Sequence, residues 1–102
     1  MFTKLFQNFI PETMQAYYIV NQVEVMHAIE GRLRVVYKKL KTDDSLYESV
    51  CEQLDGIEAI TDWKINRTTG SVTINYDPEL IEPDSFLEKL VEGAKAKYQK
   101  RV

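Results

Sequence analysis

The sequence predicts an α+β fold in which the elements follow the order β-α-β-β-α, between about Val23 and Tyr98. Three short segments alternate apolar and polar side chains, which is the pattern of strands with one buried face. Two longer segments carry apolar residues at helical spacing, and turn residues separate the segments. Two helices on one face of an antiparallel sheet form a ferredoxin-like sandwich, which is the fold class that we predict.

The strands are predicted at residues 32–38, 60–66 and 72–76, and residues 67–70 form the hairpin turn between the last two. One face of the sheet is expected to be apolar and to carry the aromatic residues Tyr37, Trp63 and Tyr76. The other face is expected to be open and polar. It carries Arg32, Arg34, Lys64, Asn66, Thr73 and Asn75.

The helices have recognisable ends. Ser45 and Glu48 predict a capping box at the start of the first helix, and Gly56 ends it. Pro83 is expected in the first turn of the second helix. The predicted buried stripes are Leu46, Val50 and Leu54 in the first helix, and Phe86, Leu87, Leu90, Val91, Ala94 and Tyr98 in the second.

No strand is predicted after the second helix, so the place beside the first strand is unfilled from the C-terminal side. An exposed strand edge is an aggregation risk. We therefore expect it to be covered, either by the chain around residues 18–24 or by a second copy of the protein. Residues 1–22 are predicted to be an N-terminal amphipathic extension, and residues 23–102 the ferredoxin-like domain, so that a helical or strand extension replaces the last strand.

The extension is apolar on one side. Its helical stripe consists of Phe2, Leu5, Phe6, Phe9 and Ile10, and Met14, Tyr17 and Tyr18 form a second short apolar face. The first stripe can pack on the core, on a second subunit or on a membrane surface. Lys4 is the only charge within it, whereas membrane-surface helices are rich in Lys and Arg. Membrane contact is therefore disfavoured.

Composition narrows the function. The net charge of −3 and the absence of aromatic residues on the predicted open face disfavour nucleic-acid binding. With Cys51 as the single cysteine, no intrachain disulfide can form, which favours a reducing, cytoplasmic location. No catalytic triad, acid–base pair or phosphate loop is recognisable, so no enzyme and no catalytic residue are predicted.

Three local sequences carry a family resemblance: His-Ala-Ile-Glu-Gly-Arg-Leu-Arg at 27–34, Leu-Asp-Gly-Ile at 54–57, and Asn-Arg-Thr-Thr-Gly-Ser-Val-Thr-Ile-Asn-Tyr-Asp-Pro at 66–78. Together with the element order, they resemble the heavy-metal-associated domain family over about residues 25–92. The most similar branch is a divergent one found alone or at the N-terminus of some metal-transporting P-type ATPases.

The chain departs from that family at one loop. Typical members bind copper(I) or zinc through a Cys-x-x-Cys loop between the first strand and the first helix. Residues 39–45 of this chain read Lys-Leu-Lys-Thr-Asp-Asp-Ser instead. Because soft ions select thiolates, the resemblance implies the fold and a link to metal physiology, but no copper or zinc site of that kind.

His27, the only histidine, is the candidate ligand for a transition metal or a haem iron, with Arg32 and Arg34 as partners for haem propionates. A strand histidine held by a backbone hydrogen bond is the alternative, because one side chain is not a zinc ligand set.

Charge is distributed unevenly along the chain. Arg32, Arg34, Lys38, Lys39 and Lys41 form a basic stripe, and the segment between Thr42 and Trp63 contains seven acidic residues and no Lys or Arg. Such asymmetry can guide docking. We therefore predict a non-enzymatic accessory module that acts through protein–protein contacts, by self-association into a homo-oligomer such as a dimer or by docking to a P-type metal ATPase. The alternative is a module that binds haem or a transition metal through His27.

Overall fold

A computed structural model describes residues 12–100 of the chain. In chain order the elements are helix α1 (Glu12–Gln22), strands β1 (Glu24–Ile29) and β2 (Arg32–Val36), helix α2 (Asp44–Asp55), strands β3 (Ile60–Asn66) and β4 (Ser71–Tyr76), and helix α3 (Phe86–Lys100). Short 3-10 turns lie at Lys38–Lys41 and Pro78–Leu80. The predicted Phe2–Ile10 stripe and the side chain of Met14 lie outside this description.

The four strands form one antiparallel sheet in the order β1-β2-β4-β3. This confirms the predicted α+β, ferredoxin-like fold: β2, β3 and β4 are the three predicted strands, and α2 and α3 are the two predicted helices. Strand β2 ends at Val36 rather than at residue 38, because the chain turns into a 3-10 helix at Lys38 and Leu40 becomes buried there.

Strand β1 fills the place beside β2 that the C-terminus leaves open. The two strands are joined by a turn at Glu30 and Gly31, and Gly31 has a φ of 88°. The edge of β2 is thus covered by the chain's own residues 24–29, just beyond the predicted segment 18–24. This turn separates residues 27–29 of β1 from residues 32–34 of β2. A β-bulge between Val25 and His27 interrupts the alternation that would have revealed β1.

All three helices contribute to one apolar core on one face of the sheet. The strand residues in it are Val25, Leu33, Val35, Val72, Ile74 and Tyr76, and the largest fully buried side chains include Leu33, Leu40 and Leu87. Helix α1 adds Ala16, Ile19 and Val20. Tyr17 and Tyr18, which we predict on a second apolar face, take no part in this core, because each is 49% exposed. Residues 16, 19 and 20 share the inner side of the helix, so 17 and 18 lie on its outer side.

Helix α1 is attached to the rest of the domain by polar contacts as well. The Lys97 Nζ of α3 donates hydrogen bonds to the carbonyl oxygens of Val20, at 2.8 Å, and Val23, at 2.5 Å. These carbonyls lie at the C-terminal end of α1, where backbone acceptors lack helical partners and a cation is favoured. The Tyr37 hydroxyl donates to Gln22 Oε1 at 3.1 Å, and burial raises the pKa of Tyr37.

The two predicted helix starts need correction. Helix α2 is capped by Asp43, whose Oδ1 accepts a hydrogen bond from Leu46 N at 2.9 Å, and Ser45 lies inside the first turn. Asp is as good a cap as Ser, and here the cap lies two residues earlier than expected. Helix α3 begins at Phe86, so Pro83 precedes it, and the Ser85 hydroxyl accepts from Glu88 N at 3.2 Å.

Gly70 provides a test of the hairpin geometry. Its φ is 81°, and a Cβ there would lie 2.8 Å from the Tyr37 carbonyl oxygen. We expect Gly70→Ala to lower the free energy of unfolding by about 2–3 kcal/mol, measured by urea denaturation. Gly56→Ala is the matched control, because Gly56 has a φ of −85° and its nearest neighbour is at 3.5 Å. Its effect should stay below about 1 kcal/mol, and equal losses would contradict the assigned strain.

Candidate functional site

A row of polar and basic residues crosses the open face of the sheet. Arg34 on β2 lies opposite His27 on β1 and opposite Thr73 on β4, and Thr73 lies opposite Lys64 on β3. We call His27, Arg34, Thr73 and Lys64 the basic row. The side chains of Arg34 and Lys64 are exposed. The row therefore places two cations on solvent-facing positions near the middle of the sheet.

The pairing confirms the predicted polar face. A second row runs parallel to the first and consists of Ile29, Arg32, Asn75 and Asp62. Tyr37 and Tyr76 are buried on the helix side, and Trp63 packs against the same core. The buried apolar residues of the described helices lie in that core. These buried helix residues lie on the side of the sheet opposite Arg34 and Lys64, whereas Tyr98 of α3 reaches His27 on the edge strand β1.

The three predicted site residues come together on the β1–β2 hairpin. His27 and Arg34 are direct cross-strand partners, and Arg32 lies two pairs further along, opposite Ile29. His27 is half-buried, and its ring meets the Tyr98 ring of α3 edge-on, with centroids 6.1 Å apart. Beside it, Met26 and Ile29 are 41% and 51% exposed. The hairpin thus combines a histidine, two arginines and two exposed apolar side chains.

The loop between β2 and α2 occupies the place where the resemblance implied a metal loop in typical relatives. Its 3-10 turn buries Leu40 completely and leaves Lys38, Lys39 and Lys41 exposed. Three ammonium groups within four residues repel a cation and lack a lone pair for ligation. The turn therefore presents positive charge where a metal-binding loop would present ligands.

Arg67 fastens this loop to the rest of the domain. From the β3–β4 turn, its Nε donates to the Leu40 carbonyl oxygen and its Nη2 to Asp44 Oδ1, each at 2.8 Å. Its guanidinium also lies 4.7 Å from the centre of the Tyr47 ring, within cation–π range. From the sequence, Arg67 is predictable only as a turn residue, because its partners are 23 and 27 residues away.

The donor set of the loop does not fit copper(I) or zinc. The carboxylate of Asp43 caps α2, and that of Asp44 binds Arg67. Cys51 lies on α2, where its hydrogen bond with Tyr47 is the main cause of a raised Tyr47 pKa, and Arg67 opposes that rise. Between residues 12 and 100, no three or more His, Cys, Asp or Glu side chains are grouped so that they could hold a metal ion.

The outer side of α2 is uniformly acidic. Asp44, Glu48, Glu52 and Asp55 follow one another at spacings of three or four residues, so they share one side of the helix. We call these four residues the acidic stripe. All four are exposed, while Leu46, Ser49 and Leu54 face the core. The Oδ1 of Asp55 accepts a hydrogen bond from Trp63 Nε1 at 3.1 Å.

An antiparallel sheet in this order, with its helices on one face, defines an α+β domain of the ferredoxin-like kind. The family model described as heavy metal associated domain 2 matches residues 8–94, and the chain belongs to that family. The resemblance drawn from the sequence is therefore confirmed, and the domain is a metal-related module. No curated protein and no solved structure matches the chain. The helices described between residues 12 and 100 are too short or too polar to cross a membrane.

Arg67→Met tests the fastening of the loop. We expect the free energy of unfolding to fall by about 1–2 kcal/mol, because the Leu40 carbonyl loses its donor and Tyr47 loses its cation. The ion pair with Asp44 adds little, since the Asp44 side chain is 82% exposed. Urea denaturation measures the loss. Arg32→Met, which removes an exposed arginine, should cost less than about 0.5 kcal/mol, and equal costs would contradict the role of Arg67.

Proposed function

We propose that the chain is a non-enzymatic accessory module of metal transport that acts in the cytoplasm by binding a partner protein. The observation that carries this proposal is the open sheet face, on which Arg32, Arg34 and Lys64 are exposed on the side opposite the buried helix residues. The binding surface is this face. The loop that carries Lys38, Lys39 and Lys41 supports a binding role without metal, because its ammonium groups repel the metal ions that typical relatives bind.

The charge of the face indicates the chemistry of the partner. In the two rows of the face, the cations Arg32, Arg34 and Lys64 outnumber the single carboxylate of Asp62, so the face fits a protein surface rich in carboxylates. Opposite charges raise association rates and specificity. Family membership makes a cytoplasmic domain of a P-type metal ATPase the first partner to test.

The size of the face indicates a transient contact. Neighbouring strands lie about 4.8 Å apart, and each residue adds about 3.3 Å to the length of a strand. The face formed by the four strands therefore has an area of about 400 Å². Two such surfaces bury about 800 Å², which is at the low end for protein–protein interfaces. Fast exchange and strong dependence on ionic strength are the expected consequences.

The test uses isothermal titration calorimetry of the full chain against the soluble domains of a P-type metal ATPase. Arg34→Glu with Lys64→Glu reverses the basic row, and we expect it to weaken binding at least about tenfold. Lys95→Glu with Lys100→Glu makes the same charge change on α3, on the other side of the sheet, and it should bind like the wild type apart from a small change in on-rate. No binding by the wild type, or equal loss in both variants, would count against the proposal.

A second candidate function rests on the β1–β2 hairpin, which brings His27 beside Arg34 and near the exposed Met26 and Ile29. One axial histidine can hold a haem iron, arginines can pair with propionates, and apolar side chains can cover the macrocycle. A transition metal with few protein ligands could bind the same histidine. This alternative makes the chain a cofactor-binding module rather than a docking module.

Titration with hemin tests the alternative. Binding through His27 should produce a sharpened, shifted Soret band that His27→Ala abolishes, because the axial nitrogen is lost. Arg34→Ala should weaken binding and leave the position of the band unchanged. Lys100→Ala, a change of the same charge on α3, is the control. An identical spectrum from His27→Ala would remove His27 from any haem site.

A further inference from the structure

We infer that the open sheet face also receives a second copy of this chain, whose acidic stripe lies across the basic row, so that copies associate head to tail. The inference rests on the proposed use of this face as a protein-binding surface and names one occupant for it. It is drawn from three features of the described residues: the signs of the two surfaces, their spacing, and their positions on opposite sides of the domain.

Charge complementarity selects the acidic stripe as the occupant. The basic row carries the exposed cations Arg34 and Lys64 and no carboxylate, and α2 between Asp44 and Asp55 carries four carboxylates and no Lys or Arg. The competing arrangement, in which two copies stack their open faces about a two-fold axis, places basic rows against each other. Like charges in apposition are costly, so the two-fold arrangement is disfavoured.

The spacing of the charges agrees with this arrangement. Arg34 and Lys64 are separated by the intervening strand β4, which puts their Cα atoms about 10 Å apart. Glu48 and Asp55 are seven residues apart on α2, which corresponds to about 10 Å along the helix axis. A helix that crosses the strands can therefore set one carboxylate near each cation. The whole of α2, with 12 residues, is about 18 Å long and close to the width of the four strands.

The two surfaces are accessible at the same time in one chain. Helix α2 packs on the helix side of the sheet through Leu46, Ser49 and Leu54, and the acidic stripe faces away from the core. The basic row lies on the opposite face of the same sheet. One copy can thus bind a neighbour on each side, which is a heterologous contact that extends into chains or closes into rings.

Analytical ultracentrifugation of the full chain tests the inference. At low ionic strength, the mean mass of the wild type should rise beyond that of a dimer as concentration increases, and it should return to the monomer at high ionic strength. Two charge-reversal variants each remove one of the two complementary surfaces. The first, Arg34→Glu with Lys64→Glu, keeps the acidic stripe, and the second, Glu48→Lys with Glu52→Lys, keeps the basic row. Circular dichroism and urea denaturation check that both are folded.

Each variant alone should remain monomeric, because it lacks one of the two complementary surfaces. An equimolar mixture should associate again, since the acidic stripe of the first variant fits the intact basic row of the second. Lys95→Glu with Lys100→Glu on α3 is the matched control and should associate like the wild type within about threefold, because distant surface charges act weakly.

Three results would overturn the inference: a wild type that stays monomeric at low ionic strength up to about millimolar concentration, a weak limit for specific affinity; association of either variant alone; or a mixture that stays monomeric. A monomeric wild type that binds the ATPase domains would leave the proposed function intact and remove only the self-docking. A wild type that self-associates but does not bind the ATPase domains would leave the self-docking intact and remove the proposed ATPase partner.

Discussion

Strand β2 lies inside the sheet and needs a hydrogen-bonding neighbour on each side, and the rest of the architecture follows from how this need is met. On one side β4 pairs with it along its whole length. On the other side the partner is β1, which precedes β2 in the chain instead of following α3. Helix α1 must then pack next to α3 to lead into β1, and Lys97 on α3 satisfies the carbonyls where α1 ends.

Local pattern was enough to predict three of the four strands and the two longer helices, because their apolar residues repeat with the period of the element. Prediction from local pattern failed where the alternation was interrupted or where two residues could serve as the helix cap. The β-bulge at Met26 interrupts the alternation of β1, so this strand was not predicted. Asp43 and Ser45 are both good caps, and the choice between them depends on where the preceding 3-10 turn ends. Such choices are made by tertiary contacts, which no short window of sequence contains.

The candidate site divides in the same way. The polar face of the sheet was predictable, since alternate residues of a strand face the same side. The basic row was not, because it requires the register of four strands that pair over long distances in sequence. Arg67 is a similar case: its contacts with Leu40 and Asp44 span 27 and 23 residues. The loop composition excluded thiolate ligation from sequence alone, and the structure adds that its carboxylates are already engaged.

The turn at Glu30 and Gly31 also has a consequence for folding kinetics. A last strand supplied after α3 would close a loop of more than sixty residues before it met β2, whereas β1 meets β2 across two residues. The difference in loop-closure entropy is about 3 kcal/mol if the cost grows by about 0.6 kcal/mol per doubling of length. Replacing the most distant strand pair by a hairpin lowers the contact order of the sheet, and low contact order accompanies fast folding. With β1 as the neighbour of β2, the domain is therefore expected to fold faster than it would with a last strand placed after α3.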